Sequence, residues 1–185
     1  MKKEIYLAGG CFWGMEKLYS MLNGVIEVKS GYVNGYNDNK PTYEEVCYKM
    51  TGFKEAVHIR YDSEIISLER LLFVFFSVIN PTTPSRQGVD KGYQYQAGIY
   101  YVDEESKNII QKIIDIEKTI YTPFSVEFEE MKNYYDAEDY HQKYLEKNPN
   151  GYCHINPTRM SILANYNILP EEYIKPAVQI LKIKL

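Results

Sequence analysis

Apolar positions recur along this chain with two different periods, and the changes of period mark its elements. Ile5-Tyr6-Leu7-Ala8 is a short apolar run of strand type, and residues 13–22 bring Met15, Leu18, Met21 and Leu22 onto one helical face. Residues 25–32 read as a second strand, closed by the turn cluster Gly31-Tyr32-Val33-Asn34-Gly35-Tyr36. After Pro41, Thr42-Tyr43-Glu44-Glu45 has the form of a capping box, so a short helix is expected to carry Tyr43 in its first turn and Cys47 further along. Residues 55–61 alternate as a strand does, with Glu55 at its entrance.

Ser67 can cap a helix over residues 68–79 that is apolar nearly all round and should therefore be buried. Pro81 and Pro84 end it and open a long polar loop over residues 80–96, a length that in a compact domain usually signals function. A strand (97–102), an amphipathic helix capped by Asp103, a strand (124–131) and a last helix (136–147) complete the regular part. This succession predicts an α/β (α+β) two-layer sandwich with a ferredoxin-like split β-α-β core. From Asn148 onward, Pro149, Gly151 and Pro157 predict an irregular, mobile C-terminal segment that holds Cys153. At 185 residues, one domain is expected.

Composition narrows the function classes. Basic residues number 21 against 25 acidic, for a net charge of −4, and they are dispersed, so nothing favours a nucleic acid backbone as partner. Lys2-Lys3 followed by an apolar run and Gly9-Gly10-Cys11 superficially resembles a lipoprotein signal, but the run is far shorter than the roughly 7–15 residues such a core needs. No run approaches the ~20 apolar residues of a spanning helix. The three cysteines form no Cys-x-x-Cys and sit in no zinc-finger spacing with the histidines. A protein of the cytoplasm, without a structural metal and using its thiols in redox or nucleophilic chemistry, is the expectation.

The candidate chemistry centres on Gly10-Cys11-Phe12-Trp13-Gly14. A small-residue turn between strand and helix places Cys11 where unpaired backbone N–H groups stabilise a thiolate. Phe12 and Trp13 supply an apolar wall beside it. Glu55 is a carboxylate at a strand end, Asp90 and Tyr95 are polar groups of the long loop, and Tyr43 is a phenol on a capped helix. Each also has a plain structural reading as a surface charge, turn former or packing ring. Cys153, in a Gly- and Pro-rich tail, is suited to approach another sulfur, whereas Cys47 reads as a buried helical thiol. His141 and His154 leave open a papain-like acyl transfer, and a non-catalytic aromatic binding module is the third possibility.

The order of motifs carries more than any one residue. Gly10-Cys11-Phe12-Trp13-Gly14 is followed by Gly31-Tyr32 with Gly35, Pro41-Thr42-Tyr43-Glu44-Glu45-Val46-Cys47, Thr51-Gly52-Phe53-Lys54-Glu55-Ala56-Val57 and Asn80-Pro81-Thr82-Thr83. Then come Arg86-Gln87-Gly88-Val89-Asp90-Lys91-Gly92-Tyr93-Gln94-Tyr95, Ala137-Glu138-Asp139-Tyr140-His141-Gln142-Lys143-Tyr144-Leu145 and Asn148-Pro149-Asn150-Gly151-Tyr152-Cys153. The set resembles the A-type peptide-methionine (S)-S-oxide reductases over residues 4–155, leaving 156–185 as an extension. The chain departs from the family pattern at Phe53-Lys54, Asn80, Val89 and Gln96-Ala97, changes expected to alter the rim of the site.

The resemblance implies a mechanism. Cys11 would attack the sulfoxide sulfur while Glu55 protonates the departing oxygen. Tyr43 and Tyr95 would hydrogen-bond that oxygen, Asp90 would order the group, and Phe12 and Trp13 would hold the S-methyl. Cys11 would be left as sulfenic acid, Cys153 would condense with it, and thioredoxin or a small dithiol would reduce the disulfide. The implied partners are oxidised proteins or free methionine sulfoxide, and thioredoxin, with no metal or organic cofactor required and a monomer expected.

Overall fold

A computed structural model describes residues 1–184. Its centre is a six-stranded sheet of β1 (Lys2–Ala8), β2 (Val25–Val33), β3 (Lys54–Asp62), β6 (Gly98–Tyr101), β7 (Glu127–Glu130) and β8 (Tyr134–Asp136), in the order β7-β6-β1-β3-β2-β8. Every pairing is antiparallel except β6 with β7. The inner four strands, β6-β1-β3-β2, have the strand order of the ferredoxin-like split β-α-β arrangement, as the sequence pattern implies. Helices α1 (Phe12–Ser20) and α3 (Leu68–Val78) are its two crossovers, and α4 (Glu104–Glu117) links β6 to the parallel edge strand β7.

The register explains the two faces. Ile5 pairs with Ile59, and Leu7 with Val57 and Ile99, so these side chains share the face that the helices cover. Tyr6, Ala8, Val33, Ala56 and Tyr100 form a smaller cluster on the opposite face. Helix α3 is buried as its composition requires: Leu71, Leu72, Phe73, Val74 and Phe75 are fully inaccessible. Each such side chain contributes about 1.5–3 kcal/mol relative to exposure.

Three expectations need correction. The stretch 136–147 is not one helix: β8 closes the sheet edge at Asp136, a 3-10 turn spans Asp139–His141, and α5 covers only Tyr144–Lys147. Lys143, left-handed at φ 52, separates the last two. The long polar loop is partly ordered as a hairpin of β4 (Arg86–Gln87) and β5 (Asp90–Lys91), followed by a 3-10 turn at Tyr93–Tyr95.

The third correction concerns the C-terminal region, which carries α6 (Pro157–Asn165) and α7 (Ala177–Lys184). Asn156 caps α6 by accepting from Thr158 N–H and Arg159 N–H, with Pro157 at the first helical position. Two buried charges from the core hold these helices by their ends. Arg70 of α3 donates through Nε to the Tyr166 carbonyl at 3.1 Å and through Nη2 to the Ala164 and Leu163 carbonyls at 3.2 and 3.4 Å. Glu117, at the end of α4, accepts from the Ala177 N–H at 2.8 Å and the Tyr173 hydroxyl at 2.6 Å. A cation thus meets a helix C-terminus and a carboxyl meets an N-terminus, each with the favourable sign. Helix α2 (Tyr43–Tyr48) has the capping box expected of it, Thr42 accepting from Glu45 N–H while the Glu45 carboxylate accepts from Thr42 N–H.

Candidate active site

The strand β1 delivers the chain to Gly9 and Gly10, and Gly10 takes φ +87, a left-handed turn that glycine makes without strain. Cys11 is the cap residue of α1, and its side chain is 7% exposed. Gln87 of β4 lies directly over Gly10, where a Cβ would sit 2.8 Å from its own Cβ. Gln87 is itself held by reciprocal amide bonds with Asn80, at 2.8 and 2.9 Å. The hairpin within the long loop therefore packs onto the turn that carries the thiol.

Glu55, the second residue of β3, is 2% exposed and accepts from the Phe12 N–H through Oε2 at 3.1 Å. This uses one of the N–H groups left unpaired at the start of α1. Burial raises the Glu55 carboxyl to about 8, with the Phe12 N–H opposing and the Asp90 charge adding. The carboxyl is therefore protonated at neutral pH. Cys11 departs from expectation. The Trp13 backbone N–H does bond to it and favours the thiolate, but burial first and the Glu55 charge second push the thiol well above its usual range. The helix terminus acts as anticipated and is outweighed, so Cys11 rests as a thiol.

The other expected residues gather around this pair. Tyr43 and Tyr95 are both pushed above the usual phenol range, by burial first and then by the charge of Glu55, so both remain hydroxyl donors. Asp90, on β5, accepts from the Tyr152 hydroxyl at 2.9 Å. Trp13 stacks on Tyr144 with centroids 3.7 Å apart and planes 11° from parallel, and its indole N–H donates to His141 Nδ1 at 3.0 Å. The His141 ring is buried between Phe12 (5.1 Å), Tyr43 (4.5 Å) and Tyr140 (4.1 Å). Cys153 is half-buried, and its thiol donates to the Ile155 carbonyl at 3.2 Å. It faces α1: a Cβ on Gly14 would lie 3.1 Å from Cys153 Sγ. Cys47 is half-buried rather than enclosed and hydrogen-bonds with the Tyr43 and Gln94 side chains.

Residue-by-residue reasoning passed over Tyr144, Tyr152, Glu138 and the packing role of His141. Glu138 joins two walls of the site by accepting from the Tyr32 hydroxyl at 2.8 Å and the Tyr43 N–H at 3.0 Å. All four lie in the quoted motifs, but only a folded chain shows which rings they touch. Two departures from the family pattern lie away from the expected rim. Phe53 is buried against Tyr135, and Lys54, on the sheet face opposite Glu55, is buried with Glu127 at 3.3 Å beneath the rings of Tyr93 and Tyr100.

A neutral buried carboxyl whose charge, once formed, is felt by a shielded thiol and two phenol hydroxyls is suited to protonating a polar oxygen while sulfur is attacked. Among the described residues, no group of three or more His, Cys, Asp and Glu side chains is arranged to hold a metal. The model of a single family, described as peptide methionine sulfoxide reductase, matches residues 3–168. The chain belongs to the peptide methionine sulfoxide reductase family. Its match extends beyond Ile155 into α6.

A peptide methionine sulfoxide reductase MsrA of Lachnoclostridium phytofermentans is 51% identical over 84% of this chain and 93% of its own length. The reduced form of Mxr1 from Saccharomyces cerevisiae superposes with a TM-score of 0.77 at 36% identity, covering 85% of this chain and 90% of that one. The same yeast protein in complex with Trx2 matches with a TM-score of 0.54 at 27% identity, over 77% and 84% of the two chains. Methionine sulfoxide reduction, an oxidoreductase activity, is the chain's function, which removes the acyl-transfer and binding-module alternatives. His141 and His154 are engaged with Trp13 and with the Gly9 carbonyl respectively. No helix among the described residues is long and apolar enough to cross a membrane.

Proposed function

We propose that the chain reduces the S epimer of methionine sulfoxide, in proteins and as the free amino acid, through a sulfenic acid on Cys11. The supporting observation is the Glu55 carboxyl, buried, neutral and bonded to the Phe12 N–H beside the nucleophile. Phe12 and Trp13 receive the S-methyl group. Tyr43 and Tyr95 donate to the sulfoxide oxygen, and Asp90, bonded to Tyr152, orders the mouth of the pocket.

A sulfoxide oxygen departs from sulfur only as it gains a proton. As Cys11 Sγ attacks the sulfoxide sulfur, the oxygen takes the Glu55 proton, and the S–O bond to methionine breaks as the hydroxyl transfers to Cys11 Sγ, where a new S–O bond forms. The thiol proton of Cys11 replaces it on Glu55, so one Cys11 thiol and one sulfoxide become one sulfenic acid and one thioether. No net proton is consumed. Cys153 then supplies its sulfur to Cys11, the hydroxyl leaves as water, and a disulfide remains. A dithiol of the thioredoxin class reduces it by exchange, a partner supported by the yeast relative's complex with Trx2. The unpaired state of Cys11, Cys47 and Cys153 suits a reducing compartment, the cytoplasm.

A reductant-coupled assay on the separated S and R sulfoxides of a blocked methionine tests the reading. Turnover of S alone is expected. Equal turnover of R would exclude the pocket described, because Phe12 and Trp13 could not then fix the methyl on one side of the sulfur.

A further inference from the structure

The mechanism above leaves one proton, that of Cys153 on its way to the departing water, without a carrier. Cys153 is a thiol at rest, raised by burial and donating to the Ile155 carbonyl, and it must lose that proton to attack the Cys11 sulfenic acid. The neighbouring side chain, His154, is arranged unusually for a residue with only a packing role. Its Nε2 meets the Gly9 carbonyl at 3.0 Å. A carbonyl only accepts, so Nε2 carries the hydrogen and Nδ1 is left with a bare lone pair. That nitrogen is buried and has no hydrogen-bond partner among the described residues.

A buried acceptor without a donor is costly, and it calls for an explanation. Position supplies one. A Cβ on Gly14 would lie 3.1 Å from Cys153 Sγ and 3.2 Å from His154 Nδ1, so the sulfur and the free lone pair face the same spot over the first turn of α1. Cys11 caps that turn. The glycine leaves room there for both.

Resting on the sulfenic acid reading above, we propose that His154 accepts the Cys153 proton at Nδ1 as Cys153 closes the disulfide with Cys11. The Cys153–Cys11 S–S bond forms and the Cys11 S–O bond breaks. Cys153 is oxidised and Cys11 reduced from sulfenic acid to disulfide. The hydroxide that leaves takes the proton from the imidazolium and departs as water, returning His154 to its neutral form. Burial keeps the ring below the usual imidazole range, so it rests neutral and able to accept. The Gly9 carbonyl and the Asp90 charge on β5 act in the opposite sense, and the Cys153 thiol faces the same spot over Gly14.

Single-turnover experiments on the full chain test this, with methionine formation and thiol loss followed separately after one equivalent of S-sulfoxide. His154→Gln keeps a donor for the Gly9 carbonyl and lacks the basic nitrogen. Disulfide formation should slow by roughly 10²-fold or more, the worth of a positioned base, with the Cys11 sulfenic acid accumulating and trapped by dimedone. The parent's rise in that rate with pH, through the titration of His154, should vanish. In His154→Gly, added imidazole should restore the rate in proportion to its neutral form. Parent-like rate and pH profile in His154→Gln would overturn the proposal, as would slow closure in His154→Gly that imidazole leaves unchanged. If the parent forms neither methionine nor sulfenic acid, the reaction itself fails, and the role of His154 with it.

Discussion

The Phe12 backbone N–H donates to Glu55 Oε2 at 3.1 Å, so the turn that carries Cys11 and the strand that carries Glu55 are joined by a direct bond. Two elements far apart in the chain thereby share one geometry, and a shift of β3 moves proton donor and thiol together.

Glu55 makes stability depend on pH in a way that can be isolated. Its folded value of about 8 lies above the ordinary 4.5. A raised folded value means that the associated stability is complete below the unfolded value and is lost as pH rises through the folded one. The parent should therefore lose stability between about pH 5 and pH 9, on the order of a few kcal/mol from this group. Glu55→Gln, which keeps an acceptor for Phe12 N–H, should lose correspondingly less. Glu16 and Glu117 are also raised by burial but contribute equally to both proteins. Denaturant melts at several pH values give the comparison, and parallel curves would show that Glu55 ionises freely in the folded chain.

Loss of the Cys153 thiol should separate the two half-reactions. Cys153→Ser should form one equivalent of methionine and leave Cys11 trappable by dimedone, with thioredoxin-driven turnover abolished and dithiothreitol still effective. Cys47→Ser should retain thioredoxin-driven turnover, since Cys47 bonds with Tyr43 and Gln94 rather than facing the first turn of α1. Survival of turnover without Cys153, and its loss without Cys47, would reverse the assignment.

The C-terminal helices should depend on a single guanidinium. Arg70→Met removes three donors to the last carbonyls of α6, and a charged hydrogen bond is worth about 1.5–3 kcal/mol. A loss of about 2–3 kcal/mol in urea unfolding is expected, with faster amide exchange confined first to Pro157–Asn165. Unchanged exchange in α6 would mean that apolar packing through Met160 and Leu163 holds the helix alone.

Much of this architecture was legible because local signals agreed with global ones. Ile5 and Leu7 alternate with Tyr6 and Ala8, α3 is apolar all round, and Thr42, Ser67 and Asp103 cap the helices that follow them. The candidate site residues stand out through ordered motifs, and the fold brings Cys11 and Glu55 close enough to interact. What stayed hidden depended on tertiary partners. Helices α6 and α7 have weak apolar periodicity and prolines at their starts, and they are held by Arg70 and Glu117, which are distant in sequence. The segment 136–147 reads as helical, yet Glu138, His141 and Gln142 are drawn to Tyr43, Trp13 and Ser30. The charge state of Cys11 was likewise invisible, because the helix terminus is a local feature whereas burial beside Glu55 is not.

The central claim is that a neutral Glu55 gives its proton to the sulfoxide oxygen while Cys11 attacks. The most direct measurement is the rate of methionine formation in a single turnover, at saturating S-sulfoxide, across pH 6–10 for the parent and for Glu55→Gln. In the parent the rate should hold steady at low pH and fall as pH rises through about 8, where the carboxyl ionises. Glu55→Gln should be slower by roughly 10²–10⁴ at neutral pH and should lack that falling limb. A parent rate that climbs through the same range, with Glu55→Gln within twofold of it, would contradict the account.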